Sequence, residues 1–355
     1  MSAFSPIDHA MMRRALEIAE KGLFTTTPNP RVGCVVTKDD RIVGEGWHER
    51  AGAPHAEIIA LNAAGARASD STVYVTLEPC NHYGRTPPCV TKLVDCKVKR
   101  VVAAMRDPNR RSLEGGSALE GAGIRFEHGL MEAEARELNI GFVSRMTRGR
   151  PWVRLKIAAT LDGRSALPDG RSRWITGAEA RRDGHRWRAR ACALLTGIGT
   201  VRADDPQLTV REVQTPRQPL RVIVDSRLET PHDARILQGE KTLVFAGTPG
   251  TLPNAEVVAL PSENSKVDLP RMLEELARRG VNELHVEAGF RLNGSLVREG
   301  CVDEYLIYLN PSLLGSEAEG MLELAAPRAL EERRRLCVLS VDRIGEDLRV
   351  LARPA

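Results

Sequence analysis

Four residues near the start of the chain could do metal chemistry together. His55 and Glu57 stand in Pro54-His55-Ala56-Glu57. Cys80 stands in Leu77-Glu78-Pro79-Cys80, and Cys89 ends Thr86-Pro87-Pro88-Cys89. One imidazole and two thiolates suit zinc, and three protein ligands leave the fourth position open for water. Bound zinc lowers the pKa of that water toward ~7. A carboxylate two residues beyond the histidine can take the proton and later give it to a departing amine. Zinc base deaminases carry H-x-E followed by P-C-x-x-C. The first half of that pattern is present. The second is stretched, because eight residues, 81–88, separate the two cysteines. That loop, Asn81-His82-Tyr83-Gly84-Arg85-Thr86-Pro87-Pro88, has the Gly and Pro needed to fold back. A lone H-x-E or a lone cysteine pair is weak evidence; the combination at these places predicts His55, Cys80 and Cys89 as zinc ligands and Glu57 as the catalytic proton carrier. Cys34 and Cys96 read as small core residues.

Polar residues flank this constellation. Asn29, in Thr27-Pro28-Asn29-Pro30, can offer an amide donor and acceptor to a ring edge, or serve only as a turn residue. His82, Arg85 and Thr86 lie close in sequence to a ligand, and Arg85 suits a phosphate. His48 follows a strand and reads equally as a contact or a surface residue.

The elements that would position these groups alternate. A helix is predicted over 7–22, strands over 31–37 and 41–47 with a turn at Asp39-Asp40, a helix from His55 to about 67, a strand over 72–77, a helix over 87–96 and a strand over 100–105. The polar, breaker-rich segment Met146 to Pro151 reads as a linker. Two domains are therefore expected, 1–147 and 151–355. After the linker, strands are predicted near 152–158, 193–198, 220–225, 242–246, 283–287 and 304–310. Helices are expected over 177–190, with Thr176 and Glu179 as a capping box, over 268–279 and over 290–299. The segment 336–353 reads as two strands around Gly345-Glu346. The result is a layered α/β protein with largely parallel sheets.

The totals agree with an ordinary globular protein. The 355 residues are 42% hydrophobic and 28% charged, with a formal net charge of +4, too small to argue for nucleic acid. No apolar run approaches the ~20 residues of a membrane helix, and the N-terminus lacks the order of a secretory signal. A cytoplasmic protein is expected. Its seven cysteines suggest no disulfide framework.

The second half has no GxGxxG after a first strand, so a standard dinucleotide fingerprint is not supported. Two weaker glycine turns remain. Thr196-Gly197-Ile198-Gly199-Thr200 leads into a polar, turn-forming run, 201–211. Val286-Glu287-Ala288-Gly289 leaves a strand and opens a helix, where backbone N–H groups bind phosphate well. Glu287 sits where α/β sheets place ligand groups, though a surface carboxylate would look the same.

Together these segments resemble the bifunctional riboflavin-biosynthesis family, a pyrimidine deaminase fused to a ribosylaminopyrimidine reductase. The first half of the resemblance rests on TPNPRVGCV (27–35), HAEIIAL (55–61) and TLEPCNHYGRTPPC (76–89). The second rests on KIAATLDGR (156–164), SRWITG (172–177), TGIGTVRADDPQLTVR (196–211), VIVDS (222–226) and VEAG (286–289). The resemblance implies a cytidine-deaminase-like three-layer domain followed by a dihydrofolate-reductase-like domain. It implies zinc-dependent removal of the 2-amino group of a phosphoribosylated diaminopyrimidinone, then NADPH-dependent reduction of the ribosyl side chain to ribityl. It assigns NADPH contacts to Ala158, Trp174, Thr200, Asp204, Ser226 and the turn Gly289, Phe290, Arg291, Leu292, Asn293, Gly294 and Ser295. It assigns substrate contacts to Ser172, Arg188, Leu208, Arg211 and Glu287, beside Asn29 and His82, with Arg188 and Arg211 suited to the phosphate by charge. It further implies small phosphorylated pyrimidines as partners, no nucleic acid, no membrane, and a homo-oligomer. The family often has two glycines where this chain has Ala288-Gly289, so the methyl of Ala288 is expected to crowd the cofactor slightly. Arg227, beside Ser226, is a candidate for the 2′-phosphate.

Two other readings share parts of the pattern. A nucleic-acid base deaminase would use the same zinc chemistry but needs a basic, aromatic-bearing surface; this chain is only 4% aromatic, with no basic stretch beside the motif. A structural zinc module would need a fourth ligand, with His82 the one obvious candidate, and would leave Glu57 idle.

Overall fold

The computed structural model describes residues 4–83, 87–109 and 114–355. The chain divides into two compact units, Met1–Gly149 and Arg150–Ala355. The expected linker is shorter than its composition suggests. Helix continues through Met146, Thr147 and Arg148, and the break falls at Gly149, whose φ of 69° ends that helix.

The first unit runs α1 (Pro6–Ala19), β1 (Gly33–Lys38), β2 (Arg41–Trp47), α2 (Ala56–Ala64), β3 (Thr72–Val75), α3 (Cys89–Asp95), β4 (Arg100–Ala103), α4 (Gly115–Gly121), β5 (Arg125–His128), α5 (Glu132–Leu138) and α6 (Ile140–Arg148). Local chemistry accounts for the opening. Ser5 and Asp8 form a capping box and Pro6 occupies the first turn, where its missing N–H is harmless. Asp39 and Asp40, with φ of 50° and 59°, make the tight hairpin turn that matches strand twist.

The sheet order is β2-β1-β3-β4-β5. The β1–β2 and β1–β3 pairings are antiparallel, so this sheet is mixed rather than largely parallel. The β3–β4 and β4–β5 pairings are parallel. Register fixes the layers. Cys34 pairs with Gly46 and Gly33 with Trp47, so Gly33 and Gly46 face opposite sides of the sheet. A Cβ on Gly33 would lie 2.0 Å from Ala15 O of α1, and one on Gly46 would lie 2.6 Å from Ala56 O of α2. The two helices therefore press on opposite faces, giving three layers. Cys34 is fully buried among Val35, Val36, Ala60 and Leu61, and Cys96 packs against the same core.

The second unit runs β6 (Trp152–Thr160), β7 (Arg164–Ala166), α7 (Ala178–Arg190), β8 (Ala193–Gly197), α8 (Ile198–Asp204), β9 (Leu220–Val224), β10 (Thr242–Ala246), β11 (Ala255–Ala259), α9 (Leu269–Arg278), β12 (Glu283–Val286), α10 (Phe290–Arg298), β13 (Glu304–Asn310), β14 (Glu319–Gly320), β15 (Leu336–Ile344) and β16 (Asp347–Pro354). Its main sheet is ordered β11-β10-β9-β8-β12-β6-β13-β16-β15. Every pairing from β11 to β13 is parallel, and the C-terminal hairpin adds two antiparallel strands.

Continuous apolar strands such as β9 bury both faces. Val222 and Val224 join a core with Leu273 and Leu276 of α9, while Ile223 joins Leu194 and Leu237 on the other side. Three details correct the expectations. Residues 198–204 are a helix, not irregular chain. The N-cap of α7 is Gly177, whose N–H donates to Asp347 Oδ2 at 2.8 Å, so Thr176 and Glu179 form no capping box. Helix α9 does start at Asp268, which accepts from the Arg271 N–H at 3.0 Å.

A candidate zinc centre and a charged cleft

The first candidate site lies where two helices begin and a strand has just ended. His55 is the N-cap of α2 and Glu57 lies in that helix's first turn. Cys80 follows β3 by a few residues, and Cys89 opens α3. His55 Nδ1 is 3.2 Å from Cys89 Sγ and 3.5 Å from Cys80 Sγ. All three donor atoms lie within 4.8 Å of one another, and among the described residues they are the cluster able to hold a metal. Tetrahedral zinc with metal–sulfur and metal–nitrogen bonds near 2.3 and 2.0 Å needs donor separations of roughly 3.5 Å. The donor set and spacing fit that ion. The long loop therefore returns Cys89 to the metal: Cys89 N–H donates to Cys80 Sγ at 3.4 Å and Val90 N–H to Cys80 O at 3.3 Å.

The electrostatics separate the two sulfurs. The hydrogen bond with Cys89 holds the Cys80 thiol down at about 4, helped by His55 and opposed by burial. The shared hydrogen and burial push Cys89 up. Glu57 is 4% exposed, and burial raises its carboxyl above the ordinary range, with His55 opposing. A carboxyl poised this way suits proton transfer near neutral pH.

Asn29 and His48 come to the same place. The Asn29 amide Nδ2 meets His48 Nε2 at 3.0 Å, and His48 Nδ1 meets Pro54 O at 3.1 Å. His48 is buried and edge-on to His55, with centroids 5.4 Å apart, so it is not a surface residue. Burial lowers its pKa. A neutral ring donating to Pro54 O can accept from Asn29, which turns the amide nitrogen inward. His82 is exposed. Arg85 and Thr86 lie outside the described residues.

The second candidate site gathers at the C-terminal ends of β8, β12 and β6. The two glycine turns face one another there. A Cβ on Gly289 would lie 3.7 Å from Thr200 Oγ1, and one on Gly197 would lie 3.0 Å from Leu292 Cδ2. Gly289 is exposed, with room for a methyl on the protein side, so its lack of a side chain serves approach from outside. Ala288 packs its methyl against the hydrophobic core, so it does not crowd this turn as expected. Beyond the turn the assigned residues divide. Phe290, Leu292 and Ser295 are half-buried and Arg291 is exposed. Asn293 is turned inward, and Gly294 packs against Glu323 O, where a Cβ would be 2.2 Å away.

Glu287 is no ordinary surface carboxylate. It makes a two-pronged ion pair with Arg188, Nε–Oε1 2.5 Å and Nη2–Oε2 2.8 Å. His285 Nε2 is 3.3 Å away and Lys156 Nζ 4.0 Å away. Burial pushes the Glu287 carboxyl up, but the Arg188 guanidinium overrides it and holds it well below the usual range. Arg188 also donates to Thr209 O at 2.9 Å, so it is occupied by protein groups, contrary to a role reserved for phosphate. Arg211 is the exposed cation nearby, its N–H on His185 Nδ1 at 3.1 Å. Lys156 was not singled out by the sequence, because a lysine inside an apolar strand carries no motif. Burial lowers its pKa, Glu287 opposes and Arg188 adds to the lowering.

The remaining expected contacts are spread around this cleft. Ala158 follows Lys156 on the same face of β6. Trp174 is 71% exposed, with the Arg181 guanidinium 4.6 Å from its ring centroid. Half-buried Ser172 precedes Arg173, which pairs with Asp204 Oδ1 at 3.2 Å. The Leu208 side chain lies in the core, so any contact it makes is through backbone. Ser226 ends β9, its Oγ accepting from Val267 N–H at 3.2 Å.

A zinc cluster with a buried carboxylate, joined to a parallel-sheet unit with a charged cleft, defines a deaminase fused to a reductase. The comparisons with known proteins agree. Residues 5–105 match the family model "Cytidine and deoxycytidylate deaminase zinc-binding region", and residues 151–350 match "RibD C-terminal domain". The riboflavin biosynthesis protein RibD of Escherichia coli K12 is 43% identical, over 96% of this chain and 98% of the relative. That of Aquifex aeolicus is 42% identical, over 96% and 97%. The solved structure of Acinetobacter baumannii RibD superimposes with a TM-score of 0.92 at 41% identity, over 98% and 99% of the two chains. A Thermotoga maritima structure described as a diaminohydroxyphosphoribosylaminopyrimidine deaminase/5-amino-6-(5-phosphoribosylamino)uracil reductase gives 0.89 at 33% identity, over 98% and 99%. The chain belongs to the RibD family of bifunctional deaminase–reductases of riboflavin biosynthesis. Its first unit is a zinc-binding, cytidine-deaminase-like domain and its second a reductase domain of the NADPH-dependent type. No helix among the described residues is long and apolar enough to cross a membrane.

Proposed function

We propose that His55, Cys80 and Cys89 hold the zinc, that Glu57 is the proton carrier, and that the substrate is 2,5-diamino-6-(5-phosphoribosylamino)pyrimidin-4-one. The observation that carries this reading is the convergence of three metal-type donors beside a buried carboxyl of raised pKa. Zinc supplies the Lewis acidity that makes water a nucleophile at neutral pH. Glu57 takes the proton from the attacking water and returns it to the departing 2-amino group, which leaves as ammonia. Asn29, fixed by His48, presents its carbonyl to the ring edge. His82 lines the approach.

The deaminated product then enters the second unit. NADPH supplies the hydride. Gly289, Thr200, Asp204, Ser226, Ala158, Trp174 and the Phe290–Ser295 turn line its path. Glu287 and Arg188 orient the ribosyl end, and Arg211 meets the phosphate. Lys156, a desolvated ammonium beside Glu287, donates the proton that accompanies hydride addition. The two domains are those expected, 1–147 and 151–355. The protein works in the cytoplasm as a homo-oligomer; the apolar side chains exposed on β15, Val338, Leu339 and Val341, support self-association.

The test is direct. Given the diaminopyrimidinone phosphate, the protein should release ammonia without NADPH and oxidise NADPH only after deamination. Absence of ammonia release would remove the first half of the proposal.

A further inference from the structure

NADPH and NADH differ only by a phosphate on the adenosine ribose, so a reductase that prefers one needs a subsite for that group. This inference rests on the NADPH reading above. With the nicotinamide beside Lys156 and Glu287, the other end of the dinucleotide must lie over different strands. β9 is two strands from β12 and three from β6 in the sheet. At ~4.8 Å per strand that is about 10–15 Å, a distance an extended dinucleotide spans.

At that edge stand two arginines. Arg202 lies on α8, one turn from Thr200 and Asp204, and Arg227 follows Ser226 at the end of β9. Each pairs with a different oxygen of Glu229: Arg202 Nη1–Oε2 at 2.9 Å and Arg227 Nε–Oε1 at 3.0 Å. Their side chains are 59% and 79% exposed, so most of each five-donor fork remains within reach of a ligand. The loop that carries Arg227 is held in place. Asp225 Oδ2 accepts from both Thr230 N–H and Thr230 Oγ1 at 2.7 Å, and Ser226 O accepts from Gly247 N–H at 3.0 Å. The neighbouring acids are engaged elsewhere, Asp204 by Arg173 and Asp205 by the Arg235 N–H. The cluster therefore carries one excess positive charge, from two arginines and one glutamate. We propose that Arg202 and Arg227, yoked through Glu229, form the subsite for the ribose 2′-phosphate and make this chain select NADPH over NADH. Arginine forks match phosphate geometry and give charge-assisted hydrogen bonds, while NADH offers them only a hydroxyl.

Binding, without turnover, tests it. Full-length protein is titrated by calorimetry with NADP+, NAD+, 2′,5′-ADP and 5′-ADP. Arg202→Ala and Arg227→Ala should each weaken NADP+ and 2′,5′-ADP about tenfold and leave NAD+ and 5′-ADP within about twofold. Lysine at either position should keep most of the preference. Equal weakening of both dinucleotides, or an unchanged ratio, overturns the proposal. Wild-type protein that binds NAD+ as well as NADP+ would also overturn it while leaving the reductase reading intact. Protein that binds neither dinucleotide would remove both.

Discussion

The two sites are built in opposite ways. The zinc centre draws its groups from two helix starts and one strand end within 35 consecutive residues, 55–89. Each lies at an element boundary, and the spacing that matters is largely local. The reductase cleft draws Lys156, Arg188, Thr200, Arg211, Ser226 and Glu287 from β6, α7, α8, two connecting segments and the end of β12. Its groups are neighbours because parallel strands adjacent in space are far apart in sequence. Each crossover must form before the cleft exists. The first kind of site can be read as a motif; the second is a property of the sheet.

The charged ladder beneath the cleft shows the difference further. Arg154 lies between Glu283, at 3.1 Å, and Glu304, with its guanidinium 4.4 Å from the Trp187 ring centroid. Arg190 reaches Glu283 at 2.7 Å and Arg353 reaches Glu304 at 2.9 Å. These strand charges form a buried polar layer under α7. In the first unit the comparable buried network is smaller. Asp8 accepts from Tyr74 Oη at 2.7 Å and from Arg100 at 2.6 Å, tying α1 to β3 and β4.

Variants can break the comparison. The largest effect is expected from Cys89→Ser. It should abolish zinc content, measured by elemental analysis, and deamination with it, while reduction of the deaminated substrate continues. Loss of reduction as well would show that the units are not separate machines. Glu57→Gln should lower the deamination rate about 10²–10⁴-fold with zinc retained; a smaller loss would mean that another group carries the proton. Glu287→Gln should strip Arg188 and Lys156 of their counter-charge and lower kcat/KM of reduction about tenfold to hundredfold, with ammonia release unchanged. If both activities fell together, the cleft residue would be acting on the whole fold.

The smallest effect concerns stability. Arg100 and Tyr74 hold the Asp8 carboxyl well below the carboxylate range despite burial. A depressed folded pKa means the contribution is full above the unfolded value near 4 and fades as pH falls below it. Asp8→Asn should cost about 3 kcal/mol in urea unfolding at pH 7 and much less near pH 3. An equal cost at both would show that packing, not charge, holds α1 down.

Much of this was legible in the residues. His55, Glu57, Cys80 and Cys89 announced themselves because metal chemistry restricts residue type and because helix starts and strand ends are visible in local pattern. The turns at Asp39-Asp40 and Gly345, and the cap at Asp268, follow from single-residue backbone preferences. Other features were not legible. Helix 198–204 looked irregular because its glycines and aspartates disfavour helix, yet Val201 anchors it in the core. The capping box expected at Thr176 and Glu179 gave way to Asp347, a partner 170 residues distant. Lys156 drew no attention in an apolar strand, and Arg188 looked available until Glu287 was seen to hold it.

The sequence by itself determined the zinc donors, the two-part organisation and most element boundaries, since these depend on residue type and on neighbours a few positions away. Tertiary structure alone decided which charges are spent on one another, which glycine turns face each other, and which face of each strand meets polar partners. Those outcomes depend on sheet order and register, which no short stretch of chain contains.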